Sequence, residues 1–119
     1  MFVKNLGDCP GFVANDGCRI QELLHPKNDP VTLSYSIAFA TLEPGKNSYR
    51  HKLEQTEVYY LLSGNGLMHI DAETQAVKPG DVIFIPAQAT QWLDNTGDEK
   101  IEFIAIVNPP WTEAGDTRL

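Results

Sequence analysis

Residues 44–66 read PGKNSYRHKLEQTEVYYLLSGNG: one histidine, two glutamates and a glutamine set between glycine turns and running straight into an apolar strand. His51, Leu53 and Glu57 are all odd-numbered, so one continuous extended strand would put them on a single face. The tripeptide EQT at 54–56 suggests a turn that can alter that parity. The stretch is therefore either a metal site short of a ligand or a hairpin whose polar residues face water.

Outward from it, turn signals recur at short intervals: GDCPG, NDG, HPKNDP, EPGKN, SGNG, DAET, KPGD, NTGDE and NPP. Between them lie strand-length segments, CRIQELL, VTLSYSIAFATL, SYRHKL, EVYYLL, LMHI, DVIFIP, TQWLDN and KIEFIAIV. VTLSYSIAFATL alternates polar and apolar residues, as a half-buried strand does. KIEFIAIV is apolar on both faces, which places it between two layers or at an interface. No segment keeps a 3.6-residue period long enough for a substantial helix. About eight strands in 119 residues predict an all-β chain of two facing sheets or a closed barrel.

This length suits one domain with a single core. The longest apolar runs, VIFI and IAIV, are far shorter than a membrane-spanning helix, and MFVKNLGDCPGF lacks the apolar centre of a signal peptide. A cytoplasmic location is expected. A net charge of −7 and a pI near 4.7, with nine basic residues scattered singly, argue against nucleic acid as a partner. Cys9 and Cys18 are read as reduced, buried structural residues, since CPGFVANDGC and its flank add only Asp8 and Asp16 as further ligands. There is no Gly-x-Ser-x-Gly elbow, phosphate loop or Cys-x-x-Cys.

The polar residues fall at fixed offsets from the glycine turns, and here the chain resembles the cupins. The first cupin motif places Gly, His, a second His, Glu and Gly at spacings that Gly45, His51, Glu57 and Gly64 match, with Leu53 at the second histidine position. The second motif is matched by Gly80, Pro86 and Asn95, with Gln88 at its glycine position and Gln91 at its histidine position. Fifteen residues, 65–79, separate the two motifs, as in small single-domain cupins. The resemblance implies a double-stranded β-helix, a jelly-roll-like barrel of two facing antiparallel sheets. On this reading residues 1–119 form one cupin domain, with 1–18 an N-terminal loop or arm and 45–95 the core holding both motifs.

In metal-binding cupins the matched histidines and glutamate point into the barrel and hold a divalent ion. Carried over position by position, the resemblance leaves His51, Glu57 and Gln91 as a partial ligand set for iron, manganese, zinc or nickel. One imidazole, one carboxylate and one amide oxygen make a weaker, harder site than a nitrogen-rich one. His51 can equally be a satisfied barrel histidine bonded to Glu57, and Gln91 a neutral donor to an organic ligand. Glu57 is the stronger functional candidate, because a carboxylate inside an apolar barrel is costly without a cation, a proton or donors. Tyr59 and Leu61 continue its parity toward the pocket, Leu61 chiefly as core. His69 would complete the set only in the right register, Gln55, Glu54 and Glu102 are further donors, and His25 is expected to be exposed at a strand end. Trp92 should point outward; Trp111 is either a lid over the barrel or a dimer contact. A homodimer is expected, with CRIQELL adding to a neighbouring sheet edge.

Three functions follow. The first is a binding or sensing cupin that orients a small organic molecule with His51, Glu57, Gln91 and Tyr59. The second is a metal-dependent oxygenase, isomerase or lyase using His51, Glu57 and Gln91. In the third, Glu57 and His51 are the catalytic pair of a metal-free acid–base enzyme.

Overall fold

The computed structural model describes residues 1–119. Eleven strands form two antiparallel sheets. The first runs β1 (Gly11–Val13), β2 (Arg19–Leu24), β3 (Ser36–Leu42), β10 (Ile101–Asn108), β5 (Thr56–Ser63) and β8 (Val82–Ile85) in spatial order. The second runs β11 (Asp116–Arg118), β4 (His51–Leu53), β9 (Gln91–Asn95), β6 (Gly66–Ile70) and β7 (Glu73–Val77). The only helical element is a 3-10 turn at Leu6–Asp8. No helix is long and apolar enough to cross a membrane.

The quoted stretch supplies one strand to each sheet. The chain bends at Glu54 and Gln55, passing from β4 in the second sheet to β5 in the first. Parity survives the corner: His51, Leu53, Gln55, Glu57, Tyr59 and Leu61 are all buried. Register then builds rows across the inner face of the first sheet. Ser36, Val107, Glu57 and Ile85 lie side by side, and the next row is Glu22, Ala38, Ala105, Tyr59 and Ile83. Leu42, Leu61, Met68, Leu93, Ile101 and Phe103 belong to the apolar cluster that fills the barrel beyond those rows.

Several strands differ from the sequence expectation. Residues 31–35 stay outside the ladder, because the turn at Asp29–Pro30 ties the Val31 N–H back to the Asp29 carbonyl (2.8 Å). SYRHKL shortens to β4, since Ser48 and Tyr49 spend their N–H groups on Leu93 and Asp16. The N-terminal arm 1–18 contributes β1, which pairs with β2. That pairing overturns the picture of CRIQELL as a free edge, because β2 lies between β1 and β3. KIEFIAIV buries one face, while Ile104 and Ile106 on the other are half-buried. Tyr60, Leu62, Val82 and Phe84 extend that outer face on β5 and β8 and are exposed.

The motif turns explain why glycine is required. Gly45, Gly64 and Gly80 have φ of +70°, +82° and +92°, in the left-handed region that a Cβ disfavours. Gln88, at the position where the second motif has glycine, holds φ +67° nonetheless, its N–H bonded to the Leu53 carbonyl at 2.7 Å. The backbone shape is kept and the side chain bears the strain.

These differences give a graded prediction for urea unfolding. At Gly64 a Cβ would sit 2.5 Å from the Lys100 carbonyl oxygen, whereas at Gly45 no atom lies within 4 Å. Gly45→Ala should cost about 1–2 kcal/mol from φ alone, and Gly64→Ala distinctly more. Gln88→Gly should be neutral or stabilising by up to about 1 kcal/mol. Equal losses at Gly45 and Gly64 would contradict the close approach.

Candidate functional site

One end of the barrel is hollow because the inward residues there are small. Ser36, Ala38, Ala105, Val107 and Glu57 from the first sheet, with Leu53 from the second, line a cavity of about 60 Å³. Trp111, Phe12 and Ile20 add apolar wall, and Asp16, Glu22, His51 and Asp116 add polar wall. Of the thirteen residues in the buried apolar cluster, only Ala105 also borders this space.

Glu57 projects from β5 and is 93% buried, with a relative exposure of 7%. Its Oε1 has no hydrogen-bond partner. Burial raises its pKa from 4.5 to about 8, Asp16 and Asp116 push the same way by their charge, and the Gln91 amide opposes them. Behind it, the Tyr59 hydroxyl donates to Gln91 Oε1 at 3.1 Å, and the Tyr59 ring packs on Phe103 with centroids 4.4 Å apart. Burial and the Glu57 charge push the Tyr59 hydroxyl well up, so it remains a donor.

His51 donates from Nδ1 to the Tyr49 carbonyl (3.1 Å), since a carbonyl can only accept. That leaves Nε2 toward Asp16, 4.0 Å from its Oδ2. Asp16 sits in the turn between β1 and β2, its Oδ1 accepting from the Cys18 N–H at 2.9 Å and its carbonyl from Tyr49. Asp116 reaches the site from β11, where it pairs opposite Leu53. Its Oδ2 accepts from the Trp111 indole at 3.1 Å, and its Oδ1 is buried without a partner. Burial raises the Asp116 pKa, His51 and the indole oppose the shift, and Asp16 reinforces it.

The residues read from sequence divide accordingly. His51 and Glu57 border the cavity; Gln91 and Tyr59 are bonded to each other outside its lining, the Gln91 amide favouring the charged form of Glu57; Leu61 is core. His69 points to the outer face of the second sheet, stacked on the outward Trp92 at 4.3 Å and bonded to Asp94 (2.7 Å), so it does not join the set. His25 is buried, contrary to expectation: its Nδ1 accepts from Lys27 N–H, so Nε2 donates to the Trp111 carbonyl at 2.7 Å. It anchors the segment after β10 and lies outside the site. Gln55 is buried and does the same, donating to Pro110 and Thr112. Glu54 is exposed at the corner, and Glu102 accepts from Ser63 on the first sheet's outer face. Trp111 borders the cavity. Cys9 and Cys18 are free and buried, and burial with Asp16 pushes the Cys18 thiol far up, so it stays protonated.

Sequence reasoning missed Asp116 and the inward role of Asp16. NDG reads as an ordinary exposed turn, and EAGDTRL has no apolar alternation to mark a strand. Their convergence depends on β11 pairing with β4 and on the 14–18 turn folding over Tyr49.

A model of the cupin domain matches residues 38–107, more than half of the chain. The chain belongs to the cupin family. It is 35% identical over 102 residues to an uncharacterised protein of Methanocaldococcus jannaschii, covering 85% of this chain and 81% of that one. It is 36% identical over 67 residues to an oxalate-binding protein of Thermotoga maritima, covering 56% of this chain and 55% of the relative. Among solved structures, a cupin 2 conserved barrel domain protein from Salinispora arenicola superposes with a TM-score of 0.78 at 22% identity, covering 96% of this chain and 91% of that one. The last likeness establishes the barrel.

The donor set of this cupin does not fit a divalent transition metal. No three His, Cys, Asp or Glu side chains gather so as to hold an ion. Leu53 replaces one imidazole, and the Gln91 oxygen that would ligate already accepts a hydrogen bond from the Tyr59 hydroxyl. What the arrangement offers instead is unsatisfied acceptors, Glu57 Oε1 and Asp116 Oδ1, in a half-apolar chamber.

The buried carboxyl sets a pH dependence. Folded Glu57 keeps a proton that the unfolded chain releases near pH 4.5, so stability should fall as pH rises from 4.5 to about 8, with a slope of up to about 1.4 kcal/mol per pH unit. Asp116 adds in the same direction. Glu57→Gln should flatten that decline in thermal melts between pH 5 and 9. An unchanged slope would mean that Glu57 is already ionised in the folded protein.

Proposed function

We propose that this cupin binds a small organic molecule in the chamber lined by β1 to β5, β10 and β11. His51 and Glu57 supply its polar contacts, and Gln91, bonded to Tyr59, favours the charged form of Glu57. The observation that carries this reading is the cavity of about 60 Å³, lined by apolar and acidic side chains, one of which, Glu57, has a buried carboxyl oxygen without a partner. A well-packed interior has no use for such a space, and a buried acceptor left unsatisfied costs about 1–3 kcal/mol. The Thermotoga relative, named an oxalate-binding protein, gives a precedent for binding on this barrel.

Metal-dependent catalysis through His51, Glu57 and Gln91 is the weaker reading, because its third ligand is engaged by Tyr59 and its fourth position is Leu53. Acid–base chemistry is favoured by one observation: Glu57 is held near pKa 8, so it retains a proton to give at neutral pH. Turnover with a bell-shaped pH profile, lost in Glu57→Gln, would promote that reading over simple binding. The expected homodimer belongs to the proposal too, supported by the exposed outer row of Tyr60, Leu62, Val82 and Phe84.

The binding test is steric. Ala105→Leu fills the chamber and removes no polar side chain from its wall. Denaturing extracts of purified wild type should release one small molecule per chain by mass spectrometry, and the variant should carry at least tenfold less. Equal recovery from both would place the ligand elsewhere. For assembly, Phe84→Glu should shift the molecular mass measured by light scattering from two chains to one.

A further inference from the structure

We propose that the ligand of this chamber is a small aliphatic ammonium, not an anion and not a divalent metal ion. The inference deepens the binding reading above and rests on it.

Charge points the same way from several elements. Asp16 from the 14–18 turn, Glu57 from β5 and Asp116 from β11 all border the cavity, and no lysine or arginine does. Glu22 also borders it, but Lys27 lies 3.5 Å from its carboxylate. Arg118, the cation that β11 brings nearest in sequence to Asp116, is stacked on the Tyr49 ring at 3.6 Å and is not among the lining residues. Three carboxyl groups thus face one imidazole.

Hydrogen-bond accounting is the independent observation. Glu57 is more than nine-tenths buried, and its Oε1 accepts nothing; Asp116 Oδ1 is buried and accepts nothing. Asp116 Oδ1 lacks a donor, and Glu57 Oε1 lacks one that an entering ammonium can supply in exchange for the proton that keeps Glu57 neutral. An anion could use only that one Glu57 proton, would leave Asp116 Oδ1 unpaired and would lie beside the Asp16 carboxylate. An ammonium offers three donors at ordinary hydrogen-bond length and can serve oxygens that do not converge tightly enough for metal coordination. The remaining walls, Leu53, Val107, Phe12 and Trp111, suit an aliphatic body. A volume of about 60 Å³ accommodates a handful of non-hydrogen atoms.

The test uses three molecules of matched size: n-propylammonium, 1-propanol and acetate, titrated into the intact protein at pH 7.5 by calorimetry. Propylammonium should bind one per chain, at least tenfold tighter than 1-propanol, with acetate weaker still. Glu57→Gln and Asp116→Asn should each lower propylammonium affinity tenfold or more, with fold retention checked by amide NMR. Acetate or oxalate binding as tightly as propylammonium would overturn the ammonium assignment and leave the binding reading standing. Stoichiometric displacement of propylammonium by manganese or zinc would also overturn it. Failure of all three matched molecules to bind would overturn the assignment, while a ligand recovered in the extracts would still uphold the chamber as a binding site.

Discussion

The interior of this barrel depends on an alternation that does not break at a corner. From His51 to Leu61 every odd residue faces inward, although the chain changes sheet at Glu54 and Gln55. A one-residue slip there would send Glu57 and Tyr59 to solvent and bring Val58 and Tyr60 into the barrel. The corner is therefore pinned: Gln55 is itself buried and binds Pro110 and Thr112, and the Leu53 carbonyl accepts from Gln88. Gln88 tolerates a left-handed backbone to make that bond.

Given that register, the polar end of the barrel follows. Glu57 shares a row with Ser36, Val107 and Ile85, and the adjoining row has alanines at 38 and 105. Larger side chains at those positions would have closed the space and left the carboxyl sealed in apolar contacts. The protein instead keeps room beside a buried acid and surrounds it with two further carboxyls. Such concentration of like charge is unfavourable for folding, and it is tolerable because Glu57 is held in its neutral form. Stability is conceded at the chamber proposed to bind a ligand.

Much of this was legible in the sequence. The offsets of Gly45, His51, Glu57, Gly64, Gly80, Pro86 and Asn95 carried the barrel, and the odd parity carried the inward set, because both are local properties of turns and of a period-two strand. The short and polar strands were not legible. β7 exposes four of its five residues, and β1 and β11 have three residues each, too few to show any period. The share of the site that comes from Asp16 and Asp116 was hidden for that reason, since those residues reach the chamber through pairing between chain segments distant in sequence, whereas Trp111 was legible only as either a lid or a dimer contact. His25 misled for the complementary reason, since a histidine before proline looks like a loop residue until the segment that covers it is in place.

The last consequence concerns access. β11 is an edge strand of three residues paired only with β4, and with Trp111 and Asp116 it makes one wall of the chamber. Edge strands held by few backbone bonds are the first parts of a barrel to detach, at a fraction of the free energy that opens the body of a sheet. Of the carboxyl groups that border the chamber, Asp116 alone is carried on β11. Detachment of β11 would draw the Asp116 carboxyl away from His51 in the same movement that opened the chamber wall.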